Sequence, residues 1–144
     1  MIAKDKNKNL IEDTTFVVCD VETTGLSPKF NRITEISLIK IRNDEIIDKY
    51  TTLINPGQHI PYGITQLTGI TNEDVFDKPP FSEVAHKIID FITDNNGTEI
   101  VFTGHNVSFD YKFVSESFKR LDKPYYLNLN TLCTCKLSRR LLRT

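Results

Sequence analysis

Three acids in this sequence have the types and positions to do chemistry together: Asp20, Glu22 and Asp110. Asp20 and Glu22 stand at the far end of Phe16-Val17-Val18-Cys19-Asp20-Val21-Glu22, whose Phe and Val content predicts a strand. Residues two apart on a strand share a face, roughly 7 Å apart along the chain. Thr23-Thr24-Gly25 then turns the chain away and leaves both carboxylates at a strand end. Such a pair can share divalent cations about 3.5–4 Å apart, an arrangement that assists displacement at phosphorus. Acids beside a turn are more often simply solvated, so the pair alone does not define a metal site. Asp110 supplies a second argument. Val107, Tyr111, Val114, Phe118 and Leu121 recur at intervals of four and three, which predicts a helix with one face packed on a sheet. Asp110 falls on that inward face, three after Val107 and four before Val114. A carboxylate is costly to bury there without a cation or a strong donor. A backbone cap or an arginine would answer the need as well; a metal shared with Asp20 and Glu22 accounts for all three acids at once.

The elements that must hold these acids can be read in order. Ile33 to Ile41 predicts a second strand, with Ile36 and Leu38 on one face and Ile33, Ile39 and Ile41 on the other. Glu45 to Ile54 predicts a third, and the short Asn43-Asp44 connection makes the two an antiparallel hairpin. Glu35 shares the face of Ile33 and Ile39 and reads as a paired structural acid. Residues 60–70, punctuated by Pro61, Gly63 and Gly69, predict a packed connector with a short helix. Thr71 and Asp74 have the spacing that opens another. His59 has no evident catalytic partner. After Pro79-Pro80, Ser82 is the expected cap of a helix running to about Asp94 and ended by Asn96-Gly97. Its buried stripe is Val84, Ala85, Ile88, Ile89 and Ile92. Ile100-Val101-Phe102 predicts a short buried strand leading into Gly104-His105-Asn106.

With 144 residues the chain predicts one domain with a real core, residues 14–144, preceded by a polar arm over 1–13. Hydrophobic residues at 39% and charged ones at 26% fit an ordinary globular protein, and a net charge of −1 excludes a large basic field. Any contact with nucleic acid must therefore be local. Lys136, Arg139, Arg140 and Arg143 crowd the last nine residues, and they read as the solvated face of a helix whose Leu137, Leu141 and Leu142 pack inward. No apolar run approaches the roughly 18 residues of a membrane span. Cys19, Cys133 and Cys135 lack the spacing of a zinc knuckle or a redox pair, so they read as packing residues in a reducing cytoplasm.

Asp20-Val21-Glu22-Thr23-Thr24-Gly25-Leu26, followed by His105-Asn106-Val107-Ser108-Phe109-Asp110, resembles the first two motifs of the DEDD 3′→5′ exonucleases. It is most similar to the DEDDh branch, which contains the epsilon proofreading subunit of bacterial DNA polymerase III and the exonuclease domain of Gram-positive replicative polymerases. Asn55-Pro56, Ile60-Pro61 and Leu67-Thr68-Gly69-Ile70-Thr71 resemble that family's connector. The resemblance implies an α/β, ribonuclease-H-like fold, with a mixed five-stranded sheet whose first three strands are antiparallel and with helices on both faces. It implies two divalent cations, Mg²⁺ or Mn²⁺. Asp20 and Glu22 would hold the one that aims the attacking water, and Asp20 with Asp110 the one at the leaving 3′ oxygen. Thr23 and Thr24 would contact the terminal nucleotide by backbone or hydroxyl, Leu26 and Phe109 would flank its base, and His105 and Asn106 would help position it. The implied substrate is a single-stranded or frayed 3′ end, DNA in proofreading or repair, with RNA or a non-catalytic binding role as alternatives. A DNA polymerase subunit is the implied partner. The family's third motif, a His followed five residues on by an Asp, has no counterpart after Asp110, where Asp122 is the sole Asp and no His occurs. Asn130 to Leu141 resembles the strand and helix that precede that motif. The expectation is thus a truncated domain with impaired activity, since losing a general base often costs roughly 10²–10⁴-fold.

Overall fold

The computed structural model describes residues 14–93 and 97–141. A five-stranded sheet has the order β3-β2-β1-β4-β5. Its strands are β1 (Thr14–Thr23), β2 (Ile33–Arg42), β3 (Glu45–Leu53), β4 (Glu99–Gly104) and β5 (Asn130–Cys133). β1, β2 and β3 pair antiparallel, while β4 runs parallel to β1 and β5 parallel to β4. Together with its helices this is the mixed sheet of a ribonuclease-H-like fold.

Alternation builds the sheet. Val17, Cys19 and Val21 on β1 and Ile36 and Leu38 on β2 are buried, and their neighbours Phe16, Val18 and Ile39 are only half-buried. The hairpin between β2 and β3 turns through Asn43 and Asp44, both left-handed at φ 51° and 62°, the backbone of a two-residue hairpin turn.

The connector contains two brief helices, α1 (Tyr62–Thr68) and α2 (Asn72–Phe76). Gly69 ends α1 at φ 77°, a conformation that favours glycine. Thr71 opens α2 with a reciprocal cap: its hydroxyl accepts from the Asp74 amide and the Asp74 carboxylate accepts from the Thr71 amide. Ile60, Ile70 and Val75 form a small core of their own beneath it.

Helix α3 (Phe81–Phe91) starts earlier than Ser82 would have it. Pro80 is its N-cap, with no side-chain cap bond, and Ser82 lies in the first turn. The Pro79-Pro80 pair already fixes the extended backbone before the helix, and the Phe81 ring packs edge-on against Phe118 at 5.3 Å. Val84, Ala85, Ile88 and Ile92 are buried as expected, and Phe91 joins them. The helix ends at Phe91, with Ile92 as its C-cap, short of the expected Asp94; Asp94 and Asn96 themselves lie outside the described residues, as do the 1–13 arm, Leu142 and Arg143.

Helix α4 (Val107–Lys119) buries Val107, Asp110, Phe113, Val114, Ser117 and Phe118. These side chains join β1, β2, β4 and α3 in one core. Helix α5 (Thr134–Leu141) corrects an expectation. Leu137 is 44% exposed and Leu141 66%, and the helix has no buried residue. Its amphipathic pattern fixes which side is apolar, but that side is not buried. Among the described residues no helix is long and apolar enough to cross a membrane.

Candidate active site

The site forms where two strands part company. β4 pairs with β1 only from Thr14↔Glu99 to Val18↔Thr103, while β1 continues against β2 to Thr23. Beyond Val18 the β4-facing edge of β1 therefore loses its strand partner. The Val21 amide on that edge donates instead to Asp110 Oδ1 at 3.0 Å, a buried bond between residues 89 apart in sequence. Asp110 is thus the strong-donor case: its carboxylate, only 4% exposed, ends the β1 ladder. A left-handed Asn106 (φ 65°) swings the chain from β4 into α4 so that Asp110 arrives in the first turn. Gly104 makes the approach possible. A Cβ there would stand 3.2 Å from the Cys19 carbonyl oxygen and 3.4 Å from Asp110 Oδ2.

Asp20 and Glu22 share the adjoining face of β1. Burial raises the Asp110 pKa to about 6, with Asp20 and Glu22 pushing the same way against the Val21 amide. Glu22 is raised too, by burial and then by Asp20 and Glu35. Glu35 pairs directly opposite Glu22 across β1 and β2. The described ion pairs, Asp77–Lys78 and Glu116–Lys119, do not include it, so the reading of Glu35 as a paired acid is corrected. It is a further acid, set against Glu22. The pattern put Glu35 on the right face; only the strand register puts it opposite Glu22.

Asp20, Glu22 and Asp110 repel one another, and with Glu35 raising Glu22 further, this is an arrangement that positive charge relieves. Among the described residues no three His, Cys, Asp or Glu side chains stand close enough to hold one ion in common. The all-oxygen donor set still fits a hard divalent cation such as Mg²⁺, which takes one or two carboxylates and completes its shell with water and phosphate. Asp110 Oδ1 is engaged by Val21, which leaves Oδ2 for a ligand.

The loop after β1, residues 24–32, is braced from within. Thr23 Oγ1 donates to the Gly25 carbonyl at 2.6 Å; Thr24 Oγ1 bonds Gln58 Oε1 and accepts from the Arg32 amide at 3.0 Å. Both hydroxyls are therefore committed inside the loop. Asn31 Oδ1 accepts from the Ser27 amide at 2.9 Å, Gln58 Nε2 donates to the Phe30 carbonyl, and Arg120 Nη2 donates to the carbonyls of Pro28 and Lys29. The frame holds Leu26 out at 83% exposure, with Phe30 also exposed. Phe109 is half-buried and packs on Phe113 at 4.8 Å. His105 is exposed, and its Nδ1 lies 3.2 Å from Thr134 Oγ1. Sequence reading missed Gln58, Arg120 and Asn31, because side-chain bonds to distant backbone leave no periodic signal.

The cysteines divide. Cys19 is a buried packing residue whose thiol burial pushes up, aided by Asp110 and Asp20. Cys133 packs at the core's edge, but backbone amides, those of Lys136 and Val107 foremost, bring its thiol down to about 7.

Comparison with known proteins shows the family and the fold. Residues 17–144 match the RNase_T exonuclease family. The PolC-type DNA polymerase III of Staphylococcus aureus is 38% identical over 112 residues, 78% of this chain but 7% of the polymerase. Among solved structures, exonuclease X in complex with 5′ overhanging duplex DNA aligns with a TM-score of 0.66 at 25% identity, over 88% of this chain and 63% of that one. The Escherichia coli exonuclease I complex with single-stranded DNA, in a zinc-bound form, aligns with a TM-score of 0.77 over 90% of this chain and 30% of its own, at 22% identity.

Proposed function

The chain belongs to the exonuclease family, and on that premise we propose that it is an exonuclease domain that removes nucleotides from the 3′ end of DNA, in proofreading or repair. The observation that carries this is the coupled carboxylate cluster at the parting of β1 and β4, with Asp110 anchored on the Val21 amide. Asp20 with Glu22, and Asp20 with Asp110, would hold two divalent cations, Mg²⁺ or Mn²⁺. When bound, these supply an activated water and neutralise charge at the scissile phosphodiester. The rest is positioning by the chain itself. The braced loop presents Leu26, and Phe109 is half-buried in the first turn of α4; the two would flank a terminal base so that it stacks without regard to its identity. With the Thr23 and Thr24 hydroxyls engaged in the loop, the contact there falls to the backbone. Asn106 acts through its left-handed backbone, and His105 through the link to Thr134. DNA rather than RNA is supported by the polymerase relative and by the DNA-bound neighbours. A polymerase partner and a cytoplasmic location, in keeping with three free thiols, belong to the same reading.

A second reading, a module that binds 3′ ends without cleaving them, is favoured by His105, which is turned to Thr134 rather than hydrogen-bonded to a carboxylate. The test is Mn²⁺-dependent shortening of 5′-labelled single-stranded DNA and of the matching RNA, by the wild-type chain and by Asp20→Ala. A ladder growing from the 3′ end of the DNA, and lost in Asp20→Ala, is expected. Binding of the DNA without any ladder selects the second reading, and a ladder that survives Asp20→Ala overturns the metal site.

A further inference from the structure

On the outer side of the braced loop, a trough of about 660 Å³ runs between Ser27–Lys29 and the exposed face of α4. Three lysines line it from two elements: Lys29 from the loop, Lys112 and Lys119 from the helix. Its one acid, Glu116, is already matched by Lys119 at 3.5 Å, so the lining carries two positive charges in excess. The trough shares its walls with the elements of the site. Ser27 follows Leu26 in the loop, and Tyr111 and Lys112 lie in the same turn of α4 as Asp110 but on its outward side. From Lys112 to Lys119 it extends about 10 Å along α4. At its loop end the Lys29 ammonium lies 5.5 Å from the centre of the exposed Phe30 ring.

Lysines on an exposed helix face are ordinarily just solvated. Two circumstances set these apart. They meet a braced loop across a trough rather than open water, and that loop is the one that holds Leu26 out, while the acids of the site repel any polyanion. Cations at the carboxylates relieve that repulsion for one phosphodiester only; the phosphates before it in the strand need positive charge from the protein. The chain as a whole, at net charge −1, does not supply it. The contrasting lysine cluster on the molecule, Lys40, Lys49 and Lys87, is interleaved with Asp48 and Asp90.

We infer that this trough is the track for the phosphate backbone of the single strand upstream of its 3′ end, with Lys29, Lys112 and Lys119 as its phosphate contacts. The inference rests on the exonuclease reading and extends it. The contacts are to backbone, so they are indifferent to base sequence, and they make binding depend on strand length and salt.

The test compares the wild-type chain with Lys29→Ala/Lys112→Ala and, as a control of equal charge, Lys49→Ala/Lys87→Ala. Fluorescein-labelled dT8 and dA8 are titrated at several salt concentrations, and dTMP is titrated with Mn²⁺. The trough variant is expected to bind both octamers several-fold more weakly. Its log-log salt slope should be shallower by about 0.7 per lysine removed, with dTMP binding unchanged and the control like wild type. An unchanged slope, or an equal loss in the control, overturns the track while leaving the exonuclease reading in place. A wild-type chain that binds neither the octamers nor dTMP overturns both. One that binds dTMP with Mn²⁺ but not the octamers overturns the track alone.

Discussion

At the scale of single residues, Asp110 joins fold to site. Its carboxylate is the hydrogen-bond partner of β1 where β4 has ended, yet burial and the neighbouring acids raise its pKa to about 6. The unfolded chain's carboxyl ionises near the ordinary value of about 3.9. Between roughly pH 4 and pH 6 the folded state therefore binds more protons than the unfolded one, and metal-free stability falls as pH rises through that window. The Asp110 contribution is on the order of 1–3 kcal/mol at neutral pH. Asp110→Asn keeps an acceptor for the Val21 amide and removes the charge. Its metal-free melting temperature at pH 7 should exceed that of wild type, and the difference should vanish below about pH 4. The rise in melting temperature that Mg²⁺ or Mn²⁺ gives wild type should largely disappear. Thermal melts across pH, with and without metal, check all three, and a wild-type advantage at pH 7 without metal would refute the electrostatic account. Asp110 was legible in the sequence because an acid on the apolar face of a helix breaks a strong pattern. Glu35 was not, because its meaning depends on register, which apolar alternation leaves open until the hairpin turn fixes it.

At the scale of elements, β1, β2 and α4 were readable because each carries its period for at least six residues, whereas β4 showed as a short apolar run and β5, four residues long, only through the family resemblance. The hairpin was readable because two consecutive left-handed residues suit Asn and Asp. Boundaries followed local chemistry that periodicity does not contain: Pro80 rather than Ser82 begins α3. The loop over 24–32 shows the limit most clearly. Its order comes from Gln58, 34 residues from Thr24, and from Arg120, more than 90 residues from the carbonyls it binds. Arg120 leaves the far end of the helix whose first turn carries Asp110, so one element sets both the metal-binding carboxylate and the loop that faces it. Arg120→Met should cost about 1 kcal/mol, the scale of a solvent-exposed charged hydrogen bond. The loss should be local. The Asn31 amide, which donates to Ser27 at 2.7 Å, should exchange its hydrogen faster, while core amides of β2 keep their protection. Uniform loss of protection across the sheet would show that Arg120 supports the whole fold instead.

At the scale of the molecule, charge and shape divide the labour unevenly. A nearly neutral chain brings Asp20, Glu22 and Asp110 to one strand end and sets lysines along the outward side of α4 and on the loop. It also leaves α5 with a basic side and an apolar one that is not buried. Composition gave the neutrality but could not give this arrangement, which exists only once β1, α4 and the loop meet. The ladder that stops at Val18 has one more consequence. Because the Val21 amide has a carboxylate for its partner, a backbone nucleus inside the sheet is a built-in gauge of the site. In a ¹H–¹⁵N spectrum its proton resonance should move downfield as Asp110 ionises, with a midpoint near pH 6, and should shift again when Mg²⁺ is added. A Val21 signal that ignores both, while its neighbours respond, would break the link between strand and site. If it responds, one peak reports ionisation and metal loading together, with no substrate and no turnover.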